Sequence, residues 1–268
     1  MLTKSNIKNI YSLTPMQEGM LFHSVSEQTS AYNVQIVFTL KGEVDKGRME
    51  KAINLLISKY DTFRSVFSFK KSEKPRQIVL KERKLSVYYE DISQLDDQEK
   101  FIDNFKKEER SKVFTLSQDL LIKASILKIK SDESLLILVV HHILFDGWCL
   151  RKITDDLFSF YFDQKNPDAS VLIERRLKEA YPYYHFINWL ENQDTSASLK
   201  YWKDYLDGFE TPSRFLRKKK FDNTLHHAIE ETWIDENIST RIKEGSSQLQ
   251  LTINAMHQGC WGILFSKY

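Results

Sequence analysis

The stretch Ser134-Leu135-Leu136-Ile137-Leu138-Val139-Val140 runs without a break into His141-His142-Ile143-Leu144-Phe145-Asp146-Gly147-Trp148. Its first part is short, continuous and apolar, with β-branched residues at the end, which predicts a strand buried on both faces. Ionisable groups follow at once. Two imidazoles and a carboxylate at the mouth of a core strand are costly unless they are paired or used. Neighbouring strand side chains point to opposite faces, so His141 and His142 cannot both face one cleft. One ring is expected to address reacting groups, by proton transfer or charge stabilisation, while the other packs or hydrogen-bonds behind it. Asp146 is suited to hold the loop by pairing with an arginine, and Gly147 to let a backbone approach closely. The amphipathic stretch from Trp148 to Phe162 predicts a helix whose first N–H groups lie beside the imidazoles, placed to hold an oxyanion.

Blander readings compete. A histidine at a strand end is commonly a satisfied core residue, and His226-His227 repeats the dipeptide with no Asp-Gly after it, as an ordinary strand pair. Adjacent histidines on opposite strand faces converge poorly on one ion, and no further His/Cys cluster lies near them, so no metal site is expected.

Around this junction the elements alternate, giving an α/β layered chain. Thr14-Pro15 predicts a helix start, with Met16, Met20 and Leu21 on one side. Strands are expected at 32–40, 63–69, 77–90, 121–130 and 134–140, the last two as a hairpin, and helices at 46–60 and 95–109. Residues 166–175 read as an exposed connection, and the aromatics of 181–190 and 201–205 as core packing. A boundary is expected between Gly208 and Lys220, followed by a strand at 227–234 and helices at 237–244 and 252–268, the last capped by Thr252.

Hydrophobic residues make up 41% and charged residues 28% of the 268, with 39 basic against 37 acidic side chains. That size supports one large core or two small ones. No apolar run approaches the roughly 20 residues of a membrane helix. The basic run at Arg214 and Arg217 to Lys220 reads as a solvated loop, so neither membrane nor nucleic acid is expected as a partner. Two cysteines, Cys149 and Cys260, without a secretory leader fit a reducing cytoplasm, with Cys149 as a small core residue rather than a nucleophile.

The string His141 to Trp148 is similar to the HHxxxDG motif of the condensation domains of nonribosomal peptide synthetases. Ser12 to His23, reading Ser-Leu-Thr-Pro-Met-Gln-Glu-Gly-Met-Leu-Phe-His, resembles their first motif. Lys59 to Phe67 is similar to their RHExLRTxF segment, with Tyr60-Asp61 in place of His-Glu and Ser65 in place of Thr. Tyr181 to Trp189 approximates the fourth, and all four stand in the family's order. The resemblance implies an α/β fold, the chloramphenicol acetyltransferase-like two-layer sandwich, with residues 11–210 as an amino-terminal subdomain. Residues 211–268 would be a linker and the truncated start of a second similar subdomain, and the chain is expected to be inactive by itself.

The resemblance also implies a chemistry, amide formation between carrier-bound aminoacyl groups. His142 faces the channel, as general base or as a positioning and charge-stabilising group; His141, Asp146 and Gly147 complete the motif. Arg64 is the expected partner of Asp146, unless an arginine outside the chain serves. Met-Gln-Glu-Gly-Met-Leu-Phe-His and Asp-Gly-Trp, which includes Trp148, match domains taking a D-configured donor, whereas heterocyclising relatives carry aspartates instead of the paired histidines. No cofactor is expected to bind directly; donor and acceptor peptidyl carrier proteins deliver phosphopantetheine arms. Residues 1–10 resemble an acceptor docking segment for an upstream synthetase subunit acting in trans, or are a basic leader. Another acyltransferase of the same fold and a noncatalytic carrier-docking module are the competing functions.

Overall fold

The structure, a computed structural model, describes residues 3–69, 74–210 and 232–267. In chain order the strands are β1 (Ile7–Ser12), β2 (Asn33–Lys41), β3 (Ser65–Ser68), β4 (Arg76–Leu80), β5 (Tyr88–Asp91), β6 (Ile122–Lys130) and β7 (Glu133–His141). The helices are α1 (Pro15–Glu27), α2 (Lys46–Lys59), α3 (Gln98–Ser111), α4 (Leu150–Asp163), α5 (Ala169–Lys178), α6 (Tyr183–Glu191), α7 (Ser196–Tyr205), α8 (Glu236–Gln248) and α9 (Ile253–Phe265). The described residues divide into two compact units, Met1–Asp194 and Thr195–Tyr268.

In the first unit the apolar run becomes β7, buried from Ser134 through His141. It lies inside a four-stranded sheet of order β2-β7-β6-β5, antiparallel except for the β5–β6 pair. The register sets Asn33 opposite His141 and Val34 opposite Val140. One face of this sheet meets α3: Asn33 Nδ2 donates to the carbonyls of Arg110 (2.8 Å) and Lys112 (3.0 Å), and Gln35 Nε2 donates to that of Lys106 (2.8 Å). The other face meets α4, where Phe38 stands edge-on to Phe158 at 5.4 Å, and α2 packs against α4. Both helices turn apolar stripes inward, with Met49, Ile53, Leu56 and Ile57 buried on α2 and Ile153, Leu157 and Phe160 on α4. A smaller antiparallel sheet, β1-β4-β3, completes the strands of this unit.

Several expectations are corrected. Residues 77–90 form two strands in different sheets, because the charged run Lys81 to Lys84 leaves the ladder. Asn54 then takes over the backbone of Leu85 at 2.8 and 2.9 Å, and Glu50 that of Val87 at 2.9 Å. The expected connection at 166–175 is mostly helix α5, whose Ile173 and Leu177 pack on the core and whose Arg176 pairs with Asp163 at 2.6 Å. Met16 is 71% exposed; Gln17 and Leu21 take the inward face of α1. The aromatics of 181–190 and 201–205 are not core: on α6 only Ile187 is buried, and Tyr181 before it, Trp189 on it, and Tyr201 and Tyr205 on α7 lie largely exposed. Residues 7–10, expected in a docking segment, are committed to β1 through its pairing with β4.

The second unit, Thr195–Tyr268, opens with α7, which buries none of its side chains. Thr252 caps α9 as expected, its Oγ1 accepting from the Ala255 N–H at 3.0 Å, and Met256 of α9 reaches Ser246 of α8. His226-His227, the basic run at 214–220 and most of the strand expected at 227–234 fall outside the described residues; 232–234 are not strand.

Leu136, fully buried in β7, faces α2 and α4, and truncating it leaves a void that neighbouring strands on both sides cannot close. Leu136→Ala therefore lowers the unfolding free energy by about 2–5 kcal/mol. Val37→Ala, at a position 41% exposed on the edge strand, changes it by less than about 1 kcal/mol. Urea unfolding of both variants checks the contrast.

Candidate active site

The site is built where β7 ends. The His141 N–H donates to the Leu121 carbonyl at 3.0 Å and the His142 N–H to the Tyr32 carbonyl at 2.9 Å, so the two amides are pinned to opposite flanks. The pleat then throws the rings to opposite faces. His141 goes inward, 2% exposed, between Tyr32 and Phe114. Its Nδ1 accepts from the Ile143 N–H at 3.2 Å, which leaves Nε2 to carry the proton toward Ser24 Oγ at 3.2 Å. Burial, followed by the neighbouring His142, pushes this ring down to about 4, so it is neutral near pH 7.

His142 lines a cavity of about 640 Å³ within the first unit. Met16, Met20, Phe63, Phe145, Tyr183 and Phe186 supply apolar wall, and Lys8, Lys59, Asp61, Asp146 and Lys152 also line it. The His142 Nδ1 atom is buried without a hydrogen-bond partner among the described residues. Burial, then the nearby Cys149 and Asp146, pushes the Tyr183 phenol up to about 12.

The remaining motif residues divide. Asp146 is exposed at the cavity rim, and its Oδ1 accepts from the Trp148 N–H at 3.0 Å while its carbonyl accepts from the Cys149 N–H at 3.2 Å. Those two amides are therefore already taken, and a short 3₁₀ turn at Gly147–Cys149 replaces the expected first turn of helix. Trp148 stands at the rim, 91% exposed. A Cβ built on Gly147 meets nothing within 4 Å, so no neighbour in the described structure demands glycine there. Cys149 is an exposed lining residue rather than core; partial shielding by the wall and then Asp146 raise its thiol, which keeps it protonated.

Arg64 does not pair with Asp146. It is 5% exposed, and its guanidinium donates to the carbonyls of Leu80 (3.0 Å), Ile57 and Ser58 and to Asp61 Oδ1. Asp61 also accepts from Lys8 Nζ at 2.9 Å. Asp61 thus stands between two cations, and the cage of carbonyls around Arg64 suits the planar fork of a guanidinium. Next to it Lys59 Nζ, its side chain wholly buried, meets Asp156 at 2.9 Å, and the Tyr60 hydroxyl donates to the same carboxylate. Burial, then that hydrogen bond, drives the Tyr60 phenol far above its usual range.

Gln17 and Ser24, to which sequence reasoning gave no role, reach the motif from α1, Gln17 at the Ile143 carbonyl and Ser24 at His141. The capping-box spacing from Thr14 to Gln17 was the available signal, and both halves of that box are formed.

A family model described as "Condensation domain" matches residues 7–268. The chain belongs to the condensation domain family. It is 33% identical over 270 residues to tyrocidine synthase 2 of Brevibacillus parabrevis, covering 99% of this chain and 7% of that protein. Against surfactin synthase subunit 2 of Bacillus subtilis (strain 168) it is 36% identical over 273 residues, covering 100% of this chain and 7% of the relative. Among solved structures, the starter condensation domain of the rhizomide synthetase RzmA superposes with a TM-score of 0.59 at 17% identity, over 76% of this chain and 50% of that one. The first condensation domain of the CDA synthetase gives 0.54 at 18%, over 59% and 41%. These likenesses show the fold, the chloramphenicol acetyltransferase-like α/β sandwich. The chain spans about half the length of those structures and a small fraction of the curated relatives it matches.

A double-mutant cycle separates the two pairings of Arg64. Arg64 with Asp61 gives a coupling of about 1–3 kcal/mol, and Arg64 with Asp146 gives less than about 0.5 kcal/mol, read from unfolding free energies. His141 supplies a pH signature. Its folded pKa lies below the reference 6.5, so the unfolded chain takes up the proton first as pH falls, and stability drops between pH 6.5 and 4 by up to about 3 kcal/mol from this ring. His141→Asn removes that component, and an unchanged slope in urea titrations of the variant contradicts it.

Proposed function

We propose that this chain carries the histidine motif of a condensation domain that joins two carrier-bound aminoacyl groups. The observation that carries this reading is the placement of His142 on the wall of a large, partly apolar cavity while its neighbour His141 is locked inward. The acceptor's α-amine attacks the carbonyl carbon of the donor thioester. A C–N bond forms, the C–S bond breaks, the pantetheine thiolate leaves, and the proton lost from nitrogen balances that thiolate.

His142 acts in this reading as a hydrogen-bonding group for the attacking amine more than as an obligatory base. Nothing in the described structure holds its Nδ1 as the aspartate holds histidine in a Ser-His-Asp relay. An α-amine with a reference pKa of about 7.7 to 8.0 is already partly neutral near pH 7. Asp146, capping the turn at Trp148, keeps the rim of the cavity in shape.

The phosphopantetheine arms belong to donor and acceptor peptidyl carrier proteins, so they enter as substrate. The Met16-Gln17-Glu18-Gly19 and Asp146-Gly147-Trp148 strings support a D-configured donor and an L acceptor. A separate upstream subunit recognised by residues 1–10 loses support, because 7–10 are strand. Among the described residues no helix is long and apolar enough to cross a membrane, and a cytoplasmic location is part of this proposal.

The assay uses the complete condensation domain containing this chain, with donor-loaded and acceptor-loaded carriers and mass spectrometry of the carrier-bound dipeptide. His142→Ala is expected to lower the rate about 100-fold or more, and a D-configured donor to be used in preference to its L counterpart. Equal product from parent and variant would remove His142 from the chemistry, and preference for the L donor would overturn the subtype.

A further inference from the structure

Helix α1 meets the end of β7 at two points that the amide chemistry leaves unexplained, Ser24 at His141 and Gln17 at Ile143. Gln17 is 5% exposed. Its Oε1 accepts from the Thr14 N–H at 3.0 Å, which turns Nε2 toward the Ile143 carbonyl at 3.1 Å and Gln77 Oε1 at 3.2 Å. Gln77, fully buried on β4, is fixed in turn by donating to Ser65 Oγ at 2.7 Å. Ser24 lies two helical turns beyond Gln17 on the same face, with buried Leu21 between them. Its hydroxyl meets His141 Nε2, and His141 Nδ1 takes the Ile143 N–H.

Both polar groups of Ile143 are thus governed from α1, the carbonyl directly and the N–H through a neutral ring. We infer that Gln17 and Ser24 are positioning residues, which aim His142 into the cavity by holding the peptide that follows it. The inference rests on the reading of His142 given above. A loop that leaves a strand has few ladder bonds of its own, and these two contacts replace them with buried ones that water cannot supply. A displacement of about 1 Å at a reacting group is enough to lower a rate about 100-fold.

Gln17→Glu keeps the side-chain shape and the bond from Thr14 but sets an oxygen against the Ile143 carbonyl. Ser24→Ala removes the partner of His141, and Ser24→Thr retains it. In the complete domain with both loaded carriers, Gln17→Glu and Ser24→Ala are expected to lower kcat about tenfold or more while KM for each carrier stays within about twofold. Ser24→Thr restores kcat. Gln17→Met replaces Gln17→Glu if the latter does not fold, and every rate is normalised to the folded fraction. Folded variants that turn over at the parental rate overturn the inference, as does a loss confined to KM. Normal turnover by His142→Ala would instead overturn the reading beneath it, so the two failures are distinguishable.

Discussion

The pairing of β7 with a strand on each side is the constraint on which the rest depends. Its register against β2 and β6 fixes which face each side chain takes, and a slip of one residue would exchange the two faces. Because Phe38 must face α4 while Asn33 and Gln35 must reach the carbonyls of the C-terminal half of α3 and its cap, that slip is blocked by apolar burial and by hydrogen bonds together. The paired histidines inherit their division of labour from this register. His141 becomes a neutral internal strut and His142 becomes the group that the cavity sees.

Electrostatics supports the frame rather than supplying it. Two buried cations sit beside the cavity, Arg64 against Asp61 and Lys59 against Asp156. Each is tied to a carboxylate and to further hydrogen-bonding groups, which is the condition under which a buried charge is tolerated. Arg64 joins the end of α2 to the carbonyl of Leu80 on β4, and Lys59 joins α2 to α4. Removing one partner of either pair strands a charge in a poorly solvated place, so these residues shape the cavity without having to meet substrate.

Much of this was legible in the sequence, for identifiable reasons. The run 135–140 was apolar without alternation, short and β-branched at its end, which favoured a strand covered on both faces, and the two-residue periodicity of a strand then separated His141 from His142. Thr14 and Thr252 announced helix starts by their side-chain chemistry. Misreadings arose where burial, which spacing does not reveal, decides the outcome. Arg64 was matched to a distant carboxylate, but its partners Ile57, Ser58 and Asp61 are near in sequence, and Asp61, three residues away, won over Asp146 because it is buried with the guanidinium. The aromatics of α6 and α7 have helical spacing that fits packing, but spacing cannot reveal whether a partner surface exists. The reach of Gln17 from α1 to Ile143 joins segments far apart in the chain, and no local pattern announces it.

His142, as the group that receives the acceptor amine, is the centre of the proposed mechanism. A crystal structure of the complete domain with an aminoacyl-pantetheine amide in the cavity tests this role most directly. The expected result is an α-amine within about 3 Å of a His142 ring nitrogen, with Ile143 still held by Gln17 and His141. An amine bound elsewhere in the cavity, with His142 turned away from it, would contradict that role.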